Sequence, residues 1–217
     1  MVSTRAFGYT TQTPFFYGRT RMAIVFFDLE TGGLSGKEHP ITQIGAVVVD
    51  RDLNEIESYE RKIKFREENC DPVALEKNHY DPAVWAEDAI SPKIVVREFS
   101  QLLRRHADLH NISAKGKQYK SCQTAGHNAA VFDRQFLGDW YRRLGVYCPA
   151  DWRVLDTLQL AQWWYFANKR KRPANFRLET LCQEFGIELE GEAHDALVDV
   201  RATLELARVL TRKKGDD

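Results

Sequence analysis

No stretch of this 217-residue chain approaches the roughly 18 consecutive apolar residues of a membrane span, so no membrane partner or helical anchor is expected. An excess of either charge is also missing: 31 Lys and Arg balance 31 Asp and Glu. A polyanionic partner would therefore have to be met by local basic patches rather than by net charge. The four cysteines, Cys70, Cys122, Cys148 and Cys182, form no C-x-x-C pair. They read as reduced thiols of a cytoplasmic protein. Acid is absent from the first 27 residues, where Arg5, Arg19 and Arg21 stand among threonines and aromatics. An organellar presequence has that composition. Pro14 and Gly18 interrupt any helix there, so 1–22 reads as a flexible extension or small added element. Translation starting at Met22 is a third reading. Internal repeats are lacking too, and residues 23–212 read as one domain followed by a short tail, 213–217.

What is present is an alternation of strands and helices. Ile24–Asp28 and Ile41–Asp50 are apolar, β-branched runs. Glu57–Phe65 alternates, with Tyr59, Ile63 and Phe65 on one face and Glu60, Lys62 and Lys64 on the other. Short connections among these three predict an antiparallel meander. Asp71-Pro72, Asp81-Pro82 and Ser91-Pro92 each place a capping side chain before a proline, which predicts three helix starts, the last helix running to about His106. Ser121–Ala129 predicts a buried strand leading into a helix over 132–144. A strand end and helix follow around Asp156, then helices over 178–185 and 195–210. In the last, Leu197, Val200, Leu204 and Ala207 form a stripe that packs on the sheet. The fold class is α/β, a mixed central sheet flanked by helices.

Chemistry concentrates in three places. In "FDLETGG" Asp28 and Glu30 are two apart on a strand and face the same side. Two adjacent anions are costly unless a cation or proton is shared between them. "GHNAAVFDRQFL" places Asp133 just inside a helix that follows a buried strand. "HDALVDVRAT" places His194 before a helix and Asp199 within it. Hard oxygen ligands in this number suit Mg²⁺ or Mn²⁺ rather than Zn²⁺. Taken singly, Asp133 reads first as a helix cap and His194 first as a surface residue; their joint order carries the reading.

These three segments resemble the motifs of the DEDDh 3′–5′ exonucleases, the group that holds the proofreading epsilon subunit of bacterial DNA polymerase III, ribonuclease T and oligoribonuclease. The five positions of that name fall on Asp28, Glu30, Asp133, His194 and Asp199, and the likeness runs from about Met22 to Leu210. "VLDTLQLA" around Asp156 and "RLETLCQEFGI" resemble the family's connecting segments. The resemblance implies a ribonuclease H-like fold, two divalent metal ions held by Asp28, Glu30, Asp133 and Asp199, and His194 as general base. It implies hydrolysis of phosphodiester bonds from a 3′ end, single-stranded DNA favoured, to release 5′-mononucleotides. An exoribonuclease that trims RNA ends and an inactive module that docks nucleic acid or a polymerase are the alternatives. A polymerase partner and a homodimer are assemblies the resemblance admits, and a stand-alone exonuclease is an equal reading.

Substrate contacts are expected at Thr31, Gly32 and Leu34, where glycine permits close backbone approach and the leucine wedges at the last base, and at Asn128. Leu34 reads equally as an anchor to the core and Asn128 as a buried hydrogen-bonding residue. The basic run Lys169–Arg172 with Arg177 reads as a track for a strand backbone or as a solvated face. Trp163 and Trp164 are expected in the core. The lysine-bearing segment Ser113–Lys120 is expected to be a substrate or partner loop.

Overall fold

The computed structural model describes residues 22–188, 191 and 194–212. The extension 1–22, apart from Met22, and the tail 213–217 lie outside the described residues. Strand β1, Ile24–Thr31, begins where its apolar run predicts but continues past Asp28. It continues because β2, Ile41–Val49, goes on pairing with it: Asp28 faces Gly45 and Glu30 faces Gln43 across an antiparallel ladder. Both carboxylates are thus fixed by strand geometry rather than left in a turn. Strand β3, Glu55–Lys62, completes the meander against β2. It stops before Phe65 because the Lys64 N–H turns away to the Ile90 carbonyl (2.9 Å).

The three proline-led helices form as expected: α1 Pro72–Lys77, α2 Pro82–Asp88 and α3 Pro92–Arg105. Asp71 and Asp81 cap the first two by accepting from Val73 and Ala83 N–H at 2.9 and 2.8 Å. Ser91 makes no such bond, and α3 is held instead by the apolar face Val95, Phe99, Leu102 and Leu103. Next, β4 Leu109–Ile112 and β5 Gln118–Gly126 form an antiparallel hairpin. Helix α4 (Asp133–Leu144), β6 (Ala150–Asp156), α5 (Thr157–Ala167), α6 (Leu178–Phe185) and α7 (Ala196–Thr211) follow.

The sheet order is β3-β2-β1-β5, and β4 and β6 share the far edge of β5. Strands β1, β5 and β6 run parallel to one another. That arrangement places Ser113–Lys120 at the end of β5 away from the two carboxylates. The segment is a hairpin turn at the start of β5, and a nine-residue strand rises about 26 Å before its other end, where Asp28 and Glu30 also lie. It therefore cannot line the same site. Val25, Phe27 and Leu29 bury one face of β1 with α3 and α4, and Phe26 turns to the other face with Val200, Leu204 and Ala207 of α7. A third apolar cluster joins α5, α6 and α7 through Ala161, Tyr165, Leu181 and Leu206.

Candidate active site

Asp28 and Glu30 follow Phe26 at two-residue spacing, so both carboxylates emerge on the face that α7 covers. Helix α7 comes close because β2 carries Gly45 opposite Asp28. A Cβ at Gly45 would lie 2.5 Å from the Ala196 carbonyl carbon and 2.6 Å from the Leu197 nitrogen. A lone glycine inside "ITQIGAVVVD" is the signal that could have found this approach, since strand interiors otherwise avoid glycine. The helix start is fixed further by Asp195, which accepts from Leu197 and Val198 N–H and, at 3.1 Å, from Gln43 Nε2 of β2. One turn along, Asp199 lies beside Glu30. His194 precedes the cap in a left-handed backbone conformation, φ 66°.

Asp133 arrives from the other side of β1. Parallel pairing of β1 with β5 ends at Phe26 and Ala125, so the Leu29 N–H has no strand partner. It donates instead to Asp133 Oδ1 at 3.1 Å, which holds this buried carboxylate at the seam. Asp156 organises the approach to α4. Its carboxylate accepts from Asn128 and Ala130 N–H at 2.9 and 3.0 Å while also capping α5 through Leu158 N–H. His127 ties the same corner to the chain before α6, with one ring nitrogen donating to the Phe176 carbonyl (2.9 Å) and the other 2.9 Å from Thr157 Oγ1.

All five motif residues line one open cleft of about 330 Å³. Within it, donor atoms of Glu30, His194 and Asp199 lie within 4.8 Å of one another, a spacing one metal ion can span. The electrostatics are those of a site short of positive charge. Burial, then Asp133, Glu30 and Asp199, raises the Asp28 carboxyl well above its ordinary range. Burial and Asp199 push Glu30 up to about 8. Burial lifts Asp133 to about 7 despite the Leu29 N–H, and Asp199 to about 6 despite the backbone N–H of His194. His194 moves the other way. Burial and the nearby Lys77 lower it, and Glu179, 3.4 Å from Nε2, only partly compensates. A cluster of acids that resists ionisation beside a neutral imidazole is suited to divalent cations, which need deprotonated oxygen ligands.

The expected substrate residues divide. Leu34 is 87% exposed at the cleft mouth, so it is no core anchor. Asn128 is exposed on the cleft wall with φ 59°, not buried. Thr31 also lines the cleft, its hydroxyl donating to the Gly33 carbonyl (2.8 Å). Gly32 does not join them: its N–H is taken by the Pro40 carbonyl (2.9 Å), and a Cβ there would strike Cys70 Sγ at 2.5 Å. Its smallness serves packing.

Sequence reading missed Lys77, the one Lys or Arg lining the cleft among the described residues. It sits there because α1 is tied to the turn after β1, with Asn78 Nδ2 donating to the Thr31 carbonyl (2.9 Å) and the Asp71 N–H to that of Gly32 (2.7 Å). Its ammonium lowers the pKa of Asp28, Glu30, Asp199 and His194 alike. Lys77→Gln is expected to move the His194 pKa upward, toward 6.5, read by NMR titration of the metal-free protein. A downward or absent shift would place Lys77 away from the site.

An exonuclease family model (RNase_T) matches residues 25–114 and 117–207. The chain is 30% identical over 179 residues to the PolC-type DNA polymerase III of Halalkalibacterium halodurans, covering 82% of this chain and 11% of that protein. It is 29% identical over 103 residues to the chloroplastic/mitochondrial exonuclease DPD1 of Arabidopsis thaliana, 48% of this chain and 33% of that one. E. coli exonuclease I, solved in complex with a dT13 oligonucleotide, superposes with TM-score 0.70 at 23% identity, over 88% of this chain and 41% of its own. The chain thus spans from about a tenth to two fifths of the length of these proteins, and the last likeness establishes the ribonuclease H-like fold.

Proposed function

The chain belongs to the exonuclease family, and from that premise we propose that it is a metal-dependent 3′–5′ exonuclease acting on single-stranded nucleic acid, DNA in preference, and releasing 5′-mononucleotides. The observation that carries this reading is the convergence of Asp28, Glu30, Asp133, His194 and Asp199, from three separated segments, on one cleft. The oligonucleotide held by exonuclease I and the name of DPD1 support a nucleic-acid substrate. The likeness to part of a PolC-type polymerase supports a polymerase as partner, with a second copy of the chain as the other assembly.

In this mechanism Asp28, Glu30 and Asp199 would hold one divalent ion, and Asp28 with Asp133 would hold a second, Mg²⁺ or Mn²⁺. The donor set fits, being carboxylate oxygens whose raised pKa values report unmet demand for positive charge. Bound there, such ions lower the pKa of water and neutralise charge on a phosphodiester. His194, neutral at pH 7 because burial and Lys77 hold it below 6.5, takes the proton of the attacking water. Lys77 offers the cleft's ammonium to a non-bridging phosphate oxygen. Thr31, Leu34 and Asn128, at the rim, bracket the terminal nucleotide.

A time course on a 5′-labelled strand, run in parallel with matched DNA and RNA, tests the reading; a strand that is not shortened when Mg²⁺ or Mn²⁺ is added would overturn it. His194 has its own test, because its nitrogen stands close enough to Glu30 and Asp199 to be a ligand instead. His194→Gln is expected to lower kcat by about 10²- to 10⁴-fold with Mn²⁺ affinity retained. Mn²⁺ binding weakened in proportion would make the histidine a ligand, and wild-type rates across pH 6 to 9 would end its role as base.

A further inference from the structure

Against expectation, Trp163 does not enter the core. It is 68% exposed and meets Phe166, 76% exposed, edge to face with ring centroids 5.8 Å apart. Their neighbours Trp164 and Tyr165 are the ones that pack inward, against Phe185. Just beyond this pair come Lys169, Arg170, Lys171 and Arg172, all exposed. Among the described residues neither these four nor Arg177 pairs with a carboxylate. In a chain with no net charge, that is a local surplus of cations beside a bare aromatic surface.

The segment is also tied at both ends. The Arg170 N–H returns to the Tyr165 carbonyl (3.1 Å), and the Arg172 guanidinium lies 5.2 Å from the Phe176 ring centroid. The Phe176 carbonyl accepts from His127, a residue of the cleft wall, at 2.9 Å. Helix α5 starts at Thr157, which contacts the same His127 ring. Trp163 and Phe166 therefore stand about 9 and 14 Å along a helix that begins at the cleft. The basic segment leads back from them to it.

We propose that the exposed face of α5 and the basic segment after it form a track for the upstream part of the single strand whose 3′ end lies in the cleft, a proposal that rests on the exonuclease reading. Bases stack on Trp163 and Phe166, and phosphates follow Lys169 to Arg172. Aromatic faces interleaved with cations grip single strands without regard to sequence, which suits an enzyme that must pass every base. A strand gains from this surface only once it extends out of the cleft and along α5, so the track favours long substrates over a trinucleotide.

The test compares two variants, Trp163→Ala with Phe166→Ala, and Lys169→Gln with Lys171→Gln and Arg172→Gln, with their parent. Binding of a fluorescent 15-mer is measured by anisotropy in an Asp28→Asn background, and trinucleotide hydrolysis in the wild-type background. The expected result is a 15-mer Kd raised about tenfold or more in the aromatic variant. In the basic variant the slope of log K against log salt should flatten by about 2. Trinucleotide hydrolysis should stay within twofold of the parent in both, and Trp163→Phe should recover most of the affinity. A 15-mer affinity within twofold of the parent in both variants would overturn the track, as would an equal loss on the trinucleotide. Conversion of a dimer to a monomer with unchanged affinity would assign the aromatic pair to a second copy, and overturn it also. Were the wild type to shorten no strand, the exonuclease reading would fail while the binding comparison still decided the track.

Discussion

Asp28→Asn is expected to abolish turnover and, in the same protein, to raise the melting temperature of the metal-free state. The activity loss should be at least about 10³-fold in kcat/KM, about 4 kcal/mol, because Asp28 is the carboxylate proposed to serve both ions. The stability gain follows from the charges around it. Asp28 is raised by burial and by Asp133, Glu30 and Asp199, so ionising it without cations is unfavourable. A carboxyl whose pKa is raised on folding binds more protons in the native state than in the unfolded one. Stability must then fall as pH rises between the two values. For Glu30 that window runs from 4.5 to about 8, and for Asp133 from 3.8 to about 7. The chelated wild type should therefore lose stability from pH 5 to pH 8 and regain it on addition of Mn²⁺. The Asp28→Asn variant, whose amide carries no charge, should melt about 3–6 °C higher than wild type at pH 8 without metal, for a relief of roughly 1–2 kcal/mol. It should gain little from Mn²⁺. Scanning calorimetry across pH with and without metal reads both effects. Turnover within tenfold of wild type would remove Asp28 from the centre, and equal melting temperatures at pH 8 would remove the repulsion.

Gly45→Val is expected to damage the site from a distance. The added side chain has nowhere to go: the first carbon alone falls 2.5 Å from the Ala196 backbone. Either β2 or the start of α7 must shift, at an overpacking cost of about 1–3 kcal/mol. Since Asp199 is carried by α7 and His194 leads into it, a displacement of about 1 Å should cost about 10²-fold or more in kcat/KM. Urea unfolding gives the stability loss, and circular dichroism at 20 °C separates misplacement from unfolding. Gly45→Ala should fall between wild type and valine. A valine variant with wild-type rates would show that the close approach of α7 does not set the site.

Gly45 also marks where sequence reading stops. Local chemistry was legible: Asp71-Pro72 and Asp81-Pro82 begin helices because cap and proline act within a few residues. The apolar runs of β1 and β2 were legible because burial on both faces leaves no alternation to misread. That the five motif residues share one cleft was legible through their order and flanks, a signal no single residue carries. What stayed hidden depends on partners distant in the chain. The end of β1 is set by β2, and the hairpin of β4 and β5 by pairing between polar segments. The cleft position of Lys77 is set by hydrogen bonds from α1 to the turn after β1. Trp163 misled because an aromatic at helical spacing is read as core, and only the packing of α5 shows which stripe faces out.

The bond from the Leu29 amide to Asp133 has a consequence for how the strand and the chemistry are joined. An interior strand normally spends its amides on its neighbours and is indifferent to side chains. Here the backbone link that β5 leaves unmade is completed by an acid that also faces the cleft. Whatever draws on Asp133, a proton or a cation, pulls on the main chain between Asp28 and Glu30. Asp133 is thus joined through one amide to the strand that carries Asp28 and Glu30, at the open seam of the sheet.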